Sequence, residues 1–203
     1  MLNIPDTVQA VMKKVLLFLP QGFEVLEASA FIDVMGWNLL EGDGTTRLHT
    51  CGLRREVVSS FDQRCIVDHV IDEVDAGAFD ALAIPGGFEQ YGYYTDAFDE
   101  RFLQLIRVFN GSRKPIATVC VAALPVAKSG LLAGKEGTTY PSQKRRELLK
   151  SYDVQVVDRR IVITGNIITS LGPSTAIDVG LMLLATLTSE ENANAVGRLM
   201  GFR

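Results

Sequence analysis

Cys120 ends an apolar run, Pro115-Ile116-Ala117-Thr118-Val119, and is followed without a break by the small residues Val121-Ala122-Ala123. A strand that runs straight into a helix holds the residue at the junction in a tight bend. Its side chain is then aimed at the carboxyl edge of the sheet, where open α/β folds bind ligands. The pattern is that of a nucleophile elbow with cysteine in the nucleophile's place. Helix N-terminal amides at such a bend favour thiolate over thiol and predict a Cys120 pKa below the usual value of about 8.5. The bland alternative is a small buried hydrophobe that ends a core strand.

Two further elements could serve the same edge. Pro85-Gly86-Gly87 closes the apolar stretch from Phe79 to Ile84, and paired glycines let backbone N–H groups approach a bound oxygen. With the Val121 amide they could form an oxyanion hole; as an isolated motif they also read as a plain strand-ending turn. Glu27 lies in the first turns of a helix after the first strand, flanked by Leu26 and Ala28, and Glu24 is its rival. A carboxyl beside a thiolate must be protonated or be repelled, and a protonated one donates a hydrogen bond that stabilises the sulfur. From the residues alone the choice between Glu24 and Glu27 stays open. Phe88, Tyr91, Tyr93 and Tyr94 follow the glycines, either to line or lid a pocket or simply to pack.

These residues need a scaffold that brings distant strand ends together, and the chain has the pattern of one. Short Val/Ile/Leu runs bounded by Gly or Pro alternate with longer segments of helical period, as in a mostly parallel sheet covered on both faces. The fold class expected is a doubly wound, flavodoxin-like α/β sandwich with a small β-hairpin insertion. Strands are expected over 14–19, 47–51, 79–84 and 114–120, with 155–158 and 161–164 as later ones. Leu26, Phe31, Ile32, Met35, Leu39 and Leu40 recur at three and four and predict a helix over about 25–40. Further helices fit 98–109, 121–128, 142–150 and 175–187, with a short last one after Ser189. Residues 56–60 and 65–70 suggest a hairpin turned at Asp62-Gln63. Lys144-Arg145-Arg146 and Lys150 read as a solvated helix face rather than an anion site.

The 203 residues, 47% hydrophobic and 22% charged, suit one ordinary packed domain over 13–203, with 1–12 as an N-terminal extension. A net charge of -4 gives no basic excess for phosphates, so nucleic-acid binding is not expected. Cys51, Cys65 and Cys120 are too few and scattered for a disulfide framework or a zinc site, so no metal is expected and a reducing, cytoplasmic location fits. Met12-Lys13-Lys14 before Val15–Leu19 imitates a secretion signal, but the apolar run stops at Pro20. No stretch approaches the roughly 20 apolar residues of a membrane span, and no membrane role is expected.

In this order and spacing the motifs resemble the ThiJ/PfpI family, the superfamily of the parkinsonism-associated deglycase within the class I glutamine amidotransferase-like fold. The resemblance runs from Lys13 to Leu199. It is carried by Lys14–Leu19 with Gly22-Phe23-Glu24-Val25-Leu26-Glu27, by Ala83-Ile84-Pro85-Gly86-Gly87, and by Pro115–Cys120. Thr138-Thr139-Tyr140-Pro141 and Ser170-Leu171-Gly172-Pro173-Ser174-Thr175-Ala176-Ile177-Asp178 complete it.

The resemblance implies that Cys120 is the reactive cysteine and Glu27 its protonated partner. Gly87 and Val121 would supply the amides facing a bound oxygen, and Gly86, Phe88 and Pro173 would belong to the pocket. It also implies a homodimer or higher homo-oligomer, with Arg55 matching an arginine that reaches across one type of dimer interface. The chain departs from the family where histidines are expected: Val121 follows the cysteine, and Tyr140 precedes Pro141. His49 and His69 match no catalytic position, so a Cys/His pair and peptidase chemistry are not supported. Tyr140 could bring a phenol near the sulfur instead.

The expected function is a cofactor-independent cysteine enzyme acting on small reactive carbonyls, glyoxalase- or deglycase-like. The alternative is a redox or stress sensor, chaperone-like in output, that uses oxidation of Cys120. An amidase or peptidase is a minor third.

Overall fold

The computed structural model describes residues 11–202; most of the expected 1–12 extension lies outside them. In chain order the elements are β1 (Lys13–Phe18), α1 (Val25–Glu41), β2 (Thr46–Gly52), β3 (Glu56–Val58), β4 (Arg64–Ile66), β5 (His69–Val70), β6 (Ala81–Ile84), α2 (Tyr93–Ala97) and α3 (Glu100–Gly111). They continue with β7 (Ile116–Thr118), α4 (Ala123–Lys128), β8 (Glu136–Gly137), α5 (Gln143–Lys150), β9 (Gln155–Val156), β10 (Ile161–Thr164), β11 (Ile167–Ser170), α6 (Ala176–Leu187) and α7 (Glu190–Leu199).

Seven strands form the central sheet in the order β10-β11-β7-β6-β1-β2-β5. All neighbours pair in parallel except β10 with β11. Because both faces are covered, the central strands are apolar at every position rather than alternating: Val15 to Phe18 and Ala81 to Ile84 are fully buried. Helices α1, α6 and α7 pack together, while α3 joins α2 and α4 in a second group. From β1 the chain builds outward through β2 and β5, then returns to β6 and builds the other way. The reversal leaves a crevice at the carboxyl ends of β1 and β6, the place where such sheets take ligands.

Helix α1 starts where Glu24 adopts an extended conformation and its carboxylate accepts from the Glu27 amide at 2.8 Å, which satisfies a first-turn donor and sets a negative charge at the helix N-terminus. Of the residues that set its period, Phe31 and Met35 are buried, whereas Leu26 is 57% and Leu40 80% exposed. The helix thus carries an apolar stripe outside the one it buries.

The insertion is more divided than the sequence suggests. The hairpin is β3 with β4, and its turn is made by Phe61 and Asp62, both with φ of 65°. Residues 65–70 do not form one piece. Asp68 accepts from the Thr50 amide and hydroxyl at 2.8 and 2.9 Å and so diverts the chain from the hairpin to the sheet edge, where β5 lies beside β2. The strand β11 is missing from the sequence reading, although Gly165-Asn166 between two apolar runs is a hairpin signal.

Candidate active site

Four strand ends supply the site. Glu27 follows β1, Gly86 and Gly87 follow β6, Cys120 follows β7 and Pro173 follows β11. The elbow is present as expected. Cys120 has φ of 61°, a left-handed conformation that disfavours side chains, and opens a 3-10 turn that passes into α4. The turn is fastened from three sides. The Val119 amide donates to Ile84 O at 3.2 Å, and the Thr139 hydroxyl donates to Cys120 O at 2.9 Å. Beneath it Thr118 Oγ1 donates to Ile168 O and Ser170 Oγ to Thr118 O, which lock β7 to β11.

The glycine loop is held as tightly. The Glu24 amide donates to Gly86 O at 2.8 Å and the Phe88 amide to Gly22 O at 3.0 Å, so the loop is pinned to the start of α1 while the Gly87 amide is not consumed by either bond. The fully buried Tyr93 wedges behind it, its hydroxyl donating to Pro85 O at 2.9 Å. There is no room for a larger residue: a Cβ on Gly86 would lie 2.8 Å from both Cys120 Cβ and Glu27 Oε2.

That closeness decides between the two acids. Glu24 caps the helix, whereas Glu27 is fully buried and its Oε2 accepts from the Gly86 amide at 2.6 Å. Oε1 has no hydrogen-bond partner meeting strict geometry, and the carboxyl interacts with the Cys120 thiol. Burial raises the Glu27 pKa to about 8, against the lowering effect of the Gly86 bond, so at neutral pH the carboxyl is mostly protonated.

The thiol itself departs from expectation. Burial pushes Cys120 up, and a negative charge on Glu27 would push it further, while the Val121 amide works in the opposite direction. The dipole lowering expected from the sequence is outweighed because α4 has only six residues and the sulfur is 8% exposed at residue level. The two titrations are therefore coupled: Glu27 loses its proton first, and the carboxylate so formed holds the Cys120 thiol protonated to higher pH.

Around the pair lies a cavity of about 220 Å³. Cys120, Glu27, Gly87 and Val121 line its floor, with Phe88, Tyr140 and Pro173 also in the wall. Gly86 packs beside both the thiol and the carboxyl. Tyr140 is 45% exposed, and it and the Cys120 sulfur both lie within about 4 Å of the space beside Gly172. Neither histidine lines the cavity: His49 and His69 sit on β2 and β5 with rings 5.5 Å apart, each edge-on to Phe79. Arg55 donates to Asp68 O at 2.8 Å within its own chain. No group of three or more His, Cys, Asp or Glu side chains among the described residues is placed to hold a metal.

One lining residue corrects the reading of the basic stretch as a solvated face. Arg145 has a side chain only 15% exposed and forms part of the cavity wall, while Lys144 and Arg146 are engaged with Glu89 and Asp158. The signal available in the sequence is Ser142, whose side chain caps α5 by accepting from the Arg145 amide and which itself lines the cavity.

Comparison with known proteins agrees with this architecture. The chain matches the family model described as the DJ-1/PfpI family over residues 13–186. It is 28% identical over 179 residues to Protein DJ-1 homolog B of Arabidopsis thaliana, covering 88% of this chain and 39% of that protein. It is 32% identical over 107 residues to Deglycase PfpI of Pyrococcus furiosus, covering 53% and 61%. The chain thus spans about two fifths of the length of the Arabidopsis relative. The crystal structure of Drosophila melanogaster DJ-1beta superimposes with a TM-score of 0.83 at 28% identity, covering 95% of this chain and all of that one. The chain belongs to the DJ-1/PfpI family.

Proposed function

We propose that this protein is a cysteine-dependent enzyme acting on small reactive carbonyls, a glyoxalase- or deglycase-like hydrolase with Cys120 as nucleophile. The observation that carries the reading is the fully buried, mostly protonated Glu27 set against the thiol in a small cavity. A buried acid tuned toward working pH beside a nucleophile is the arrangement proton-shuttling chemistry requires. The name of the Pyrococcus relative, a deglycase, supports it.

With methylglyoxal the steps balance as follows. The Cys120 sulfur bonds to the aldehyde carbon while the thiol proton passes to the carbonyl oxygen, giving a hemithioacetal whose oxygen faces the Gly87 and Val121 amides. Glu27, in the fraction ionised at working pH, takes the proton from that carbon and returns it to the neighbouring one while the hydroxyl proton moves to the ketone oxygen, which leaves a thioester of a hydroxy acid. Water then cleaves the S–C bond and releases lactate and the thiol. The net change is addition of one water, with no external oxidant or cofactor. Tyr140 stands at the mouth as a phenol donor in place of a histidine. The test is lactate formation by wild type and by Cys120→Ser; the reading requires turnover in the first and none in the second.

The missing histidine favours a second reading, in which Cys120 is oxidised by peroxide to the sulfinate and stabilised by the Glu27 proton. Two equivalents of peroxide supply the two oxygens and leave as water. Selective gain of two oxygens on Cys120 without carbonyl turnover would establish this sensor role, whereas equal oxidation of Cys51 and Cys65 would dismiss it. For amidase or peptidase chemistry no histidine lines the cavity to pair with the cysteine.

The proposal extends to a homodimer in the cytoplasm. Val25, Leu26, Ile32, Trp37 and Leu40 leave an apolar stripe exposed on α1 beside the site, and all three cysteines are free. No helix among the described residues is long and apolar enough to cross a membrane. Light scattering on the purified protein reads the oligomeric state directly.

A further inference from the structure

We infer that Arg145 makes this cavity selective for carbonyl substrates that carry a carboxylate, of which an aldehydo acid is the smallest. The inference rests on the carbonyl reading above and names the substrate class within it. Among the described residues that line the cavity with Cys120, Arg145 is the one cation. It stands in the first turn of α5, its guanidinium 5.0 Å over the Tyr94 ring and its side chain mostly withdrawn from water. Such placement holds the fork in one orientation, whereas a solvated arginine samples many.

The fork is under-used by the protein. Nη2 donates to Glu89 Oε2 at 3.0 Å, and no other guanidinium nitrogen has a hydrogen-bond partner among the described residues. Glu89 is shared, because Lys144 Nζ donates to the same oxygen at 2.7 Å. Lys144, outside the lining, thus takes up part of the charge that Glu89 would otherwise spend on Arg145. Glu24, the lining acid on the α1 side, is engaged with the Glu27 amide. A carboxylate matches the unspent donors in number and plane, since arginine binds it through paired N–H bonds. A cavity of about 220 Å³ lined by both Cys120 and Arg145 admits a molecule of a few heavy atoms, with a carbonyl for the first and an anionic end for the second. Addition of the thiol to that carbonyl forms one S–C bond, opens the C=O π bond and moves the thiol proton to oxygen, so the bound state is a reversible adduct.

The experiment uses two aldehydes as protectants of Cys120 against iodoacetamide, read cysteine by cysteine by mass spectrometry. Glyoxylate carries the carboxylate and methylglyoxal does not, and each is normalised to its addition to free cysteine. Wild type should be half-protected at about tenfold lower normalised glyoxylate than methylglyoxal, the scale of one charge-assisted contact. Arg145→Gln should abolish that gap, Arg145→Lys should keep part of it, and Glu89→Gln, which releases the guanidinium, should widen it. Labelling of the buried Cys51 reports any variant that fails to fold, and Glu89→Gln then decides alone. No gap in wild type, a gap that survives Arg145→Gln, or a gap that Glu89→Gln leaves unwidened overturns the inference. Protection by methylglyoxal without a gap sinks this inference alone; protection by neither aldehyde sinks the carbonyl reading with it.

Discussion

The Glu27 carboxyl accepts from the Gly86 amide at 2.6 Å, a bond that spans 59 residues of chain and joins the end of β6 to the first turn of α1. It fixes the acid against the elbow, because Gly86 also packs against Cys120. The same contact explains why the loop carries glycine there. A methyl group on Gly86 would press on Cys120 Cβ, Glu27 Oε2 and Val119 O at once.

Gly86→Ala should therefore cost about 1–3 kcal/mol of stability, as overpacking in a rigid site does, and should slow Cys120 modification. Urea unfolding and iodoacetamide kinetics on the same variant check both halves. An alanine variant of wild-type stability would show that the loop can move away from the pair.

The raised Glu27 pKa links stability to pH. The native carboxyl holds its proton up to about pH 8, while in the unfolded chain it loses it near 4.5. The stability this group contributes is complete below 4.5 and is lost as pH rises to about 8. The change is on the order of 4–5 kcal/mol for the group taken alone. Glu27→Gln keeps an acceptor for Gly86 and removes the titration. Its unfolding midpoint should gain on wild type steadily from pH 5 to 8, and a constant difference across that range would contradict the assignment.

Cys120 adopts its left-handed conformation without being glycine. Relief of that strain should make Cys120→Gly more stable than Cys120→Ala by about 1 kcal/mol, in spite of glycine's extra freedom when unfolded. Thermal melts of the two variants measure the difference; an alanine variant as stable as the glycine one would mean the elbow is not strained.

The legibility of this site in the sequence follows from how local each feature is. The elbow was readable because strand and helix adjoin at Cys120 with no residue between them, and the glycine pair because it ends an apolar run. The choice of Glu27 over Glu24 was not readable from spacing, since it depends on a contact with Gly86 from another strand. The direction of the Cys120 shift was misread because burial is a tertiary property, while the helix dipole can be guessed from the chain. Arg145 was passed over for a similar reason: its Lys-Arg-Arg context looks solvated until Tyr94 and Glu89 are brought beside it. Residues 65–70 read as one β-rich piece in the sequence because the Thr50 to Asp68 bonds that divide them join positions 18 apart.

Tyr140 lines the cavity and is 45% exposed, and the proposed chemistry uses its phenol as a donor. Tyr140→Phe should lower kcat with methylglyoxal by about tenfold or more and leave stability within about 0.5 kcal/mol. Unchanged kcat would reduce the residue to a wall of the cavity.

The coupling of Glu27 to Cys120 is tested most directly by the pH dependence of iodoacetamide labelling at each cysteine, in wild type and in Glu27→Gln. Glu27 ionises near pH 8 and its charge then opposes the thiolate, so Cys120 labelling in wild type should climb with pH only up to a step near 8 and level off there. In Glu27→Gln that step should vanish and labelling should go on rising above pH 8 and exceed that of wild type. Cys51, pushed up to about 12 by burial, should show no such step in either protein. A Cys120 profile that is the same with and without the Glu27 carboxyl would contradict the pairing on which the proposed chemistry depends.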